Sequence, residues 1–268
     1  MRTKWITLAA ALLALALAHG AALGADDKNA AADAEIAFNT GLTHLREGRT
    51  EMALESFKKA VKQDPKNAYF YKGLGVAQMQ LADKCPASDA KCRNERLEDA
   101  LAAARKALEL NPYYVDARND LGTALLRLGK RDEGKRELLT AYEDPTNPTP
   151  ELSARNLGQA FMEDGNYAQA ETWFRTCVDR NKTYAEAYVL LADALLKQNR
   201  APEAAAQLEA GEKAVPDDLG LALELGRAYY RAGRLSEART RWERVASKDP
   251  GGAAGRQALE LLRSLQQH

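Results

Sequence analysis

Cys85 and Cys92 stand seven positions apart in the polar stretch DKCPASDAKC, and a third cysteine, Cys177, stands alone. Two thiols at that spacing can close a disulfide in an exported chain. They can also supply part of a zinc site, but such a site takes about four ligands. No histidine lies near this stretch, so a Cys85–Cys92 disulfide is the expectation and a metal site is not. Histidine occurs at positions 19, 44 and 268 only, and no nucleophile stands beside a partner that would activate it. Phosphate-cradling glycine loops and paired-histidine metal motifs are missing from the sequence. Adjacent acids such as Asp217 and Asp218 read as solvated turn charges. The expectation is therefore a non-enzyme with no catalytic residue, no metal and no cofactor, working through its surface.

The elements that carry such a surface begin after the N-terminus. Arg2 and Lys4 precede an apolar run from Trp5 to about Ala18, and Ala22 and Gly24 follow where a signal peptidase takes small residues. The run is shorter than the roughly 20 residues that span a bilayer, so residues 1–24 read as a signal peptide cleaved before Ala25. No cysteine near the cleavage point could accept a lipid, so the chain does not read as a lipoprotein. Its 38 basic and 38 acidic residues cancel, which leaves no global field to attract nucleic acid or an anionic membrane. Abundant Ala and Leu, with Glu, Lys and Arg, favour stacked helices.

A period of 34 residues organises everything from position 34 to 252, six times in register. Large apolar residues recur at positions 4, 7, 11 and 24 of the period, small ones at 8, 20 and 27, and proline at 32. In the first unit, 34–67, these include Gly41, Ala53, Phe57, Ala60 and Pro65; the fourth, 151–184, has Leu157, Gly158, Phe161, Ala170 and Phe174. The sixth, 219–252, has Leu225, Gly226, Tyr229, Ala238, Trp242 and Pro250. Cys177 falls on a small position and reads as a buried alanine substitute; His44 falls on position 11 and reads as packing. Glycine near position 15 (Gly48, Gly129, Gly165, Gly233) is placed to end a first helix in the left-handed conformation. The second unit carries about 13 residues beyond the 34-residue period, and that insertion, at about 83–96, contains the cysteine pair. Residues 25–33 read as a disordered lead, and 253–268 as one more helix, polar at Arg256 and Glu260 as a cap should be.

This pattern resembles the tetratricopeptide-repeat (TPR) family across nearly all of the chain after the signal. The resemblance implies an all-α TPR solenoid, a right-handed superhelix of six helix-turn-helix repeats with a C-terminal capping helix. In that family the first helix of each repeat lines a concave groove through positions 2, 5, 9, 12 and 13. Carried over, these positions give Phe38, then Tyr69, Lys72, Val76 and Met79, then Asn119, then Arg155 and Gln159, and finally Arg227, Tyr230 and Arg231. Aromatic groups beside single cations suit a protein segment. Lys72 matches one residue of the family's carboxylate clamp, but Val76 replaces its asparagine, which argues against that mode.

The junction DPTNP followed by ARNLG is similar to that of the type IV pilus pilotins, TPR proteins that assist assembly of the outer-membrane secretin. That resemblance implies a periplasmic scaffold whose partner is a secretin or another envelope protein, with neither nucleic-acid binding nor direct membrane insertion. Pilotins are usually lipoproteins, and this chain departs from them there. A generic periplasmic TPR adaptor or regulatory subunit, for cell-wall or outer-membrane biogenesis, is the alternative.

Overall fold

The computed structural model describes residues 30–265, and within them every regular element is an α-helix. The expected signal peptide and residues 25–29 of the expected lead lie outside the described residues. Thirteen helices are described: α1 (30–46), α2 (Thr50–Gln63), α3 (Ala68–Lys84), α4 (Ala90–Leu110), α5 (Val115–Arg127), α6 (Arg131–Glu143), α7 (Pro150–Glu163), α8 (Tyr167–Arg180), α9 (Ala185–Lys197), α10 (Ala201–Ala214), α11 (Leu219–Arg231), α12 (Leu235–Lys248) and α13 (Ala253–Leu265). Odd and even helices are the first and second helices of the six repeats, and α13 follows the last. The chain divides between Lys130 and Arg131 into two compact units. Helix α1 is already formed at residue 30, four positions before the repeat begins.

Glycine turns join the helix pairs as their spacing implies. Gly165 has φ 72°, and Gly48, Gly129 and Gly233 adopt the same left-handed region. Repeat five lacks a glycine there, and Asn199 fills the place with φ 59°; asparagine tolerates that conformation better than other side-chain-bearing residues. Side-chain caps start several helices: Asn67 accepts from the Tyr69 amide at 3.0 Å, and Asp218 from the Leu221 amide at 2.8 Å.

Helix pairs meet where a glycine faces a ring. A Cβ added to Gly158 would fall 2.5 Å from the Phe174 ring, and one added to Gly41 would fall 2.6 Å from Phe57. Gly226 meets Trp242 in the same way. All three rings are within about a percent of full burial, so each glycine is the space its aromatic partner occupies. Ala170 is also fully buried. Cys177 is buried and free, and burial pushes its thiol up to about 12, which leaves it inert at neutral pH.

Repeat two departs from its expected form. The extra residues do not make a long loop. They lengthen the helices, to 17 residues in α3 and 21 in α4, with only a short link at 85–89. Asp89 caps α4 by accepting from the Cys92 amide at 2.9 Å, and Leu97, Ala100, Leu101 and Ala104 carry a buried stripe along it. Cys85 and Cys92 are bonded across the link, with Cα atoms 5.9 Å apart. Helix α13 buries Gly255 and Ala258, and Leu261, Leu262 and Leu265 pack against the core of the second unit. None of the described helices is long and apolar enough to cross a membrane.

Candidate functional site

In the first unit the candidate surface lies on α3 and α5. Tyr69 is about half exposed, at 48%. Its ring stacks on Tyr114 with centroids 6.5 Å apart and tilts against Phe38 at 4.6 Å. Phe38 is itself only 4% exposed, wedged between Phe57 and Phe70, so its contribution is to hold Tyr69 in place. Lys72 pairs with Asp116 on α5 at 3.2 Å. Val76 and Met79 are half-buried along α3, and Asn119 is half-buried on α5. Arg127 closes this stretch, donating to Asp83 and to the Met79 carbonyl.

Asp120, one turn after Asp116 on α5, was not among the expected site residues. Its Oδ2 is shut away from solvent and has no hydrogen-bond partner, and the same holds for the Tyr114 hydroxyl. Burial pushes the Asp120 carboxyl up to about 7; Lys72 opposes the shift and Asp116 adds to it. The Tyr114 phenol is pushed up as well, chiefly by burial. Asp116 and Asp120 are four apart on one helix, the one signal in the sequence that would have marked them as sharing a face.

In the second unit Arg155 on α7 reaches α9, where its Nε and Nη2 donate to Glu186 Oε1 at 3.0 and 2.6 Å. Tyr184 donates to the other oxygen of Glu186 at 2.9 Å. Burial raises the Glu186 pKa, but the bonds from Arg155 and Tyr184 outweigh it and leave the carboxyl below its ordinary range. Gln159 donates to Glu163 at 3.4 Å. Arg155 is therefore committed within the fold.

Arg227, Tyr230 and Arg231 come together farther along, on α11. They line a cleft of about 380 Å³ with Asp193 and Leu196 of α9, Glu224, Trp242, and Leu261 and Ser264 of α13. A neighbouring pocket of about 240 Å³ shares Asp193, Leu196 and Glu224. Tyr230 is 41% exposed, with its ring 6.1 Å from that of Trp242. Arg227 donates to Glu224 at 3.0 Å. Burial raises the Glu224 pKa, Arg227 lowers it and Asp193 adds to the rise. Arg231 is exposed and makes no ion pair among the described residues. The cleft thus offers an aromatic wall, apolar ground and one uncommitted guanidinium. Leu261 and Ser264 come from the capping helix, which position-by-position reading of the repeats does not reach. No group of three or more His, Cys, Asp or Glu among the described residues could hold a metal ion.

Comparison with known proteins agrees with this geometry. Models described as tetratricopeptide or TPR repeats match residues 33–81, 93–154, 156–184 and 189–253. The interferon-induced protein with tetratricopeptide repeats 3 of Mus musculus is 29% identical over 136 residues, which is 51% of this chain and 31% of that protein. The chain spans less than a third of the length of the curated relatives it matches. Among solved structures, Pseudomonas aeruginosa PilF is similar with a TM-score of 0.62 and 20% identity, over 86% of this chain and 97% of that one. PilW, described as a widely conserved type IV pilus biogenesis factor, is similar with a TM-score of 0.63 and 20% identity, over 84% and 98%. Six helix pairs in one register, glycine-to-ring contacts at matching places and repeat matches along most of the chain have one explanation: this protein belongs to the tetratricopeptide-repeat family.

Proposed function

We propose that this protein is a non-catalytic, protein-binding scaffold that acts through the first helices of its repeats. The observation that carries this reading is the cleft on α11, where Tyr230 stands 41% exposed beside Arg227 and Arg231. Solvated surfaces seldom hold such a group, whereas aromatic and arginine anchors dominate binding at protein interfaces. Tyr69, Lys72, Val76, Met79 and Asn119 form a second stretch of the same kind in the first unit.

The finer reading is a periplasmic scaffold that assists assembly of an envelope complex, of which the type IV pilus secretin is the leading case. Support comes from the signal-like N-terminus, from the bonded cysteine pair, which suits an oxidising compartment, and from the similarity to PilF and PilW over nearly their whole lengths. Cell fractionation with an intact-mass measurement should find the mature chain outside the cytoplasm, starting at Ala25. Deleting the gene should deplete multimers of the secretin. Wild type and a Lys58→Ala/Glu109→Ala control, altered on second helices, should restore them, and Tyr69→Ala/Tyr230→Ala should not. Intact secretin in the deletion strain would turn the reading toward a general periplasmic adaptor; rescue by the tyrosine variant but not by the control would move the site to the other face.

A further inference from the structure

Two junctions between neighbouring repeats are built from the same positions. At the junction of repeats four and five, the cation is Arg155, the acid Glu186 and the tyrosine Tyr184. At the junction of repeats two and three, the same places hold Lys72, Asp116 and Tyr114. The first set is complete: the arginine fork and the tyrosine hydroxyl together satisfy both oxygens of Glu186. The second set is not. Lys72 reaches Asp116, while Tyr114 Oη and Asp120 Oδ2 stay buried without partners. Asp120 has no counterpart at the complete junction, where Leu190 takes its place.

The incomplete set therefore holds two carboxyls against one ammonium, plus an unpaired phenol. Buried polar atoms left without partners are rare in folded proteins and ask for an explanation. An ammonium is a point charge on a flexible stem, whereas a guanidinium is a flat fork with five donors that can serve two acceptors together. The half-exposed Tyr69 ring stands beside Tyr114, and such rings attract a flat cation.

We propose that the α3–α5 junction, formed by Lys72, Tyr114, Asp116 and Asp120 with Tyr69 at its rim, binds the guanidinium of an arginine side chain presented by the protein partner. This rests on reading the first-helix face as the partner-binding face. Lys72 holds the place when the site is empty and swings to solvent when arginine arrives, freeing Asp116 for the fork. Asp120 binds the cation as a carboxylate. Of the charged groups acting on it, Asp116 on α5 disfavours ionisation and Lys72 on α3 favours it. Binding should therefore strengthen from pH 6 to pH 8 as Asp120 loses its proton.

The test uses the full mature chain and three acetylated, amidated tripeptides, Gly-Arg-Gly, Gly-Lys-Gly and Gly-citrulline-Gly, followed by amide NMR. The arginine peptide should shift signals of α3 and α5 saturably, and its uncharged citrulline isostere should bind at least about tenfold more weakly. Asp120→Asn should weaken arginine binding about tenfold, and Lys72→Met should strengthen it. Equal binding of arginine and citrulline, weaker binding by Lys72→Met, shifts confined to α9 and α11, or no binding at all would each overturn the proposal. The secretin assay above is independent of these peptides. If the socket binds arginine and the tyrosine variant still supports secretin assembly, the first-helix reading fails and only the junction's affinity for arginine stands; the reverse result removes only the socket.

Discussion

Repeat two and repeat four solve the same packing problem differently. In repeat four, helices of 14 residues each are locked by Phe174 seated on Gly158. In repeat two the corresponding second-helix position is Ala104. The space on Gly75 is met only by the Ala100 carbonyl at 3.5 Å and the Ala103 methyl at 3.6 Å. No ring fills that contact, so the two backbones lie close, the helices run longer, and a cystine ties their far ends. One pair is held by a buried aromatic, the other by contact length and a covalent clasp.

The largest effect that should separate them is Phe174→Ala. Removing a fully buried ring should cost about 3–5 kcal/mol, read as a fall in the urea midpoint of the second unit. No single side chain in repeat two should cost as much. An equal loss from Leu101→Ala would erase the contrast. Next is the clasp. Replacing both Cys85 and Cys92 by Ala should remove about 2.5 kcal/mol on the loop-entropy account. Hydrogen exchange should rise at residues 83–96 and stay unchanged across α7 and α8; loosening spread over both repeats would mean the bond does more than hold one hairpin.

The smallest effect concerns the junctions that follow each pair. The Asp120 pKa is raised in the folded state, to about 7. Its contribution to stability is therefore whole below the unfolded carboxyl value near 4 and is lost as pH rises through 7. Asp120→Asn should leave the urea midpoint unchanged at pH 4 and raise it at pH 8. Glu186, whose pKa is lowered, behaves oppositely: its stabilising pairing is present above the ordinary carboxyl value and is lost in acid. A common pH profile for Asp120→Asn and Glu186→Gln would show the two junctions to be alike after all.

Most of the fold was legible because the signals are local or strictly periodic. Gly48, Gly129, Gly165 and Gly233 announce their turns by type and spacing, and Gly158 and Ala170 announce a close contact. Asn199 escaped notice because a second residue type can do glycine's work there. The insertion at 83–96 is polar at its centre and holds a proline, so the sequence there shows no helical stripe. The apolar stripe from Leu97 onward, with Asp89 as a cap, is what carries α4 back into it. The site was less legible. Tyr69, Arg227, Tyr230 and Arg231 follow from register alone, but Arg155 turns out to serve Glu186, and Asp120 owes its character to what α3 lays over it. Such environments arise only when neighbours pack, and no pattern along one helix contains them.

The long helices of repeat two have a further consequence. A repetitive array offers a bound chain the same footing every 34 residues, so a ligand could settle one step out of place. Three extra residues in α3 and seven in α4, against their counterparts in repeat four, carry the hairpin about 5 to 10 Å past a regular unit at 1.5 Å per residue. That overhang, tied at its tip by the Cys85–Cys92 bond, marks repeat two out from the other helix pair of the first unit.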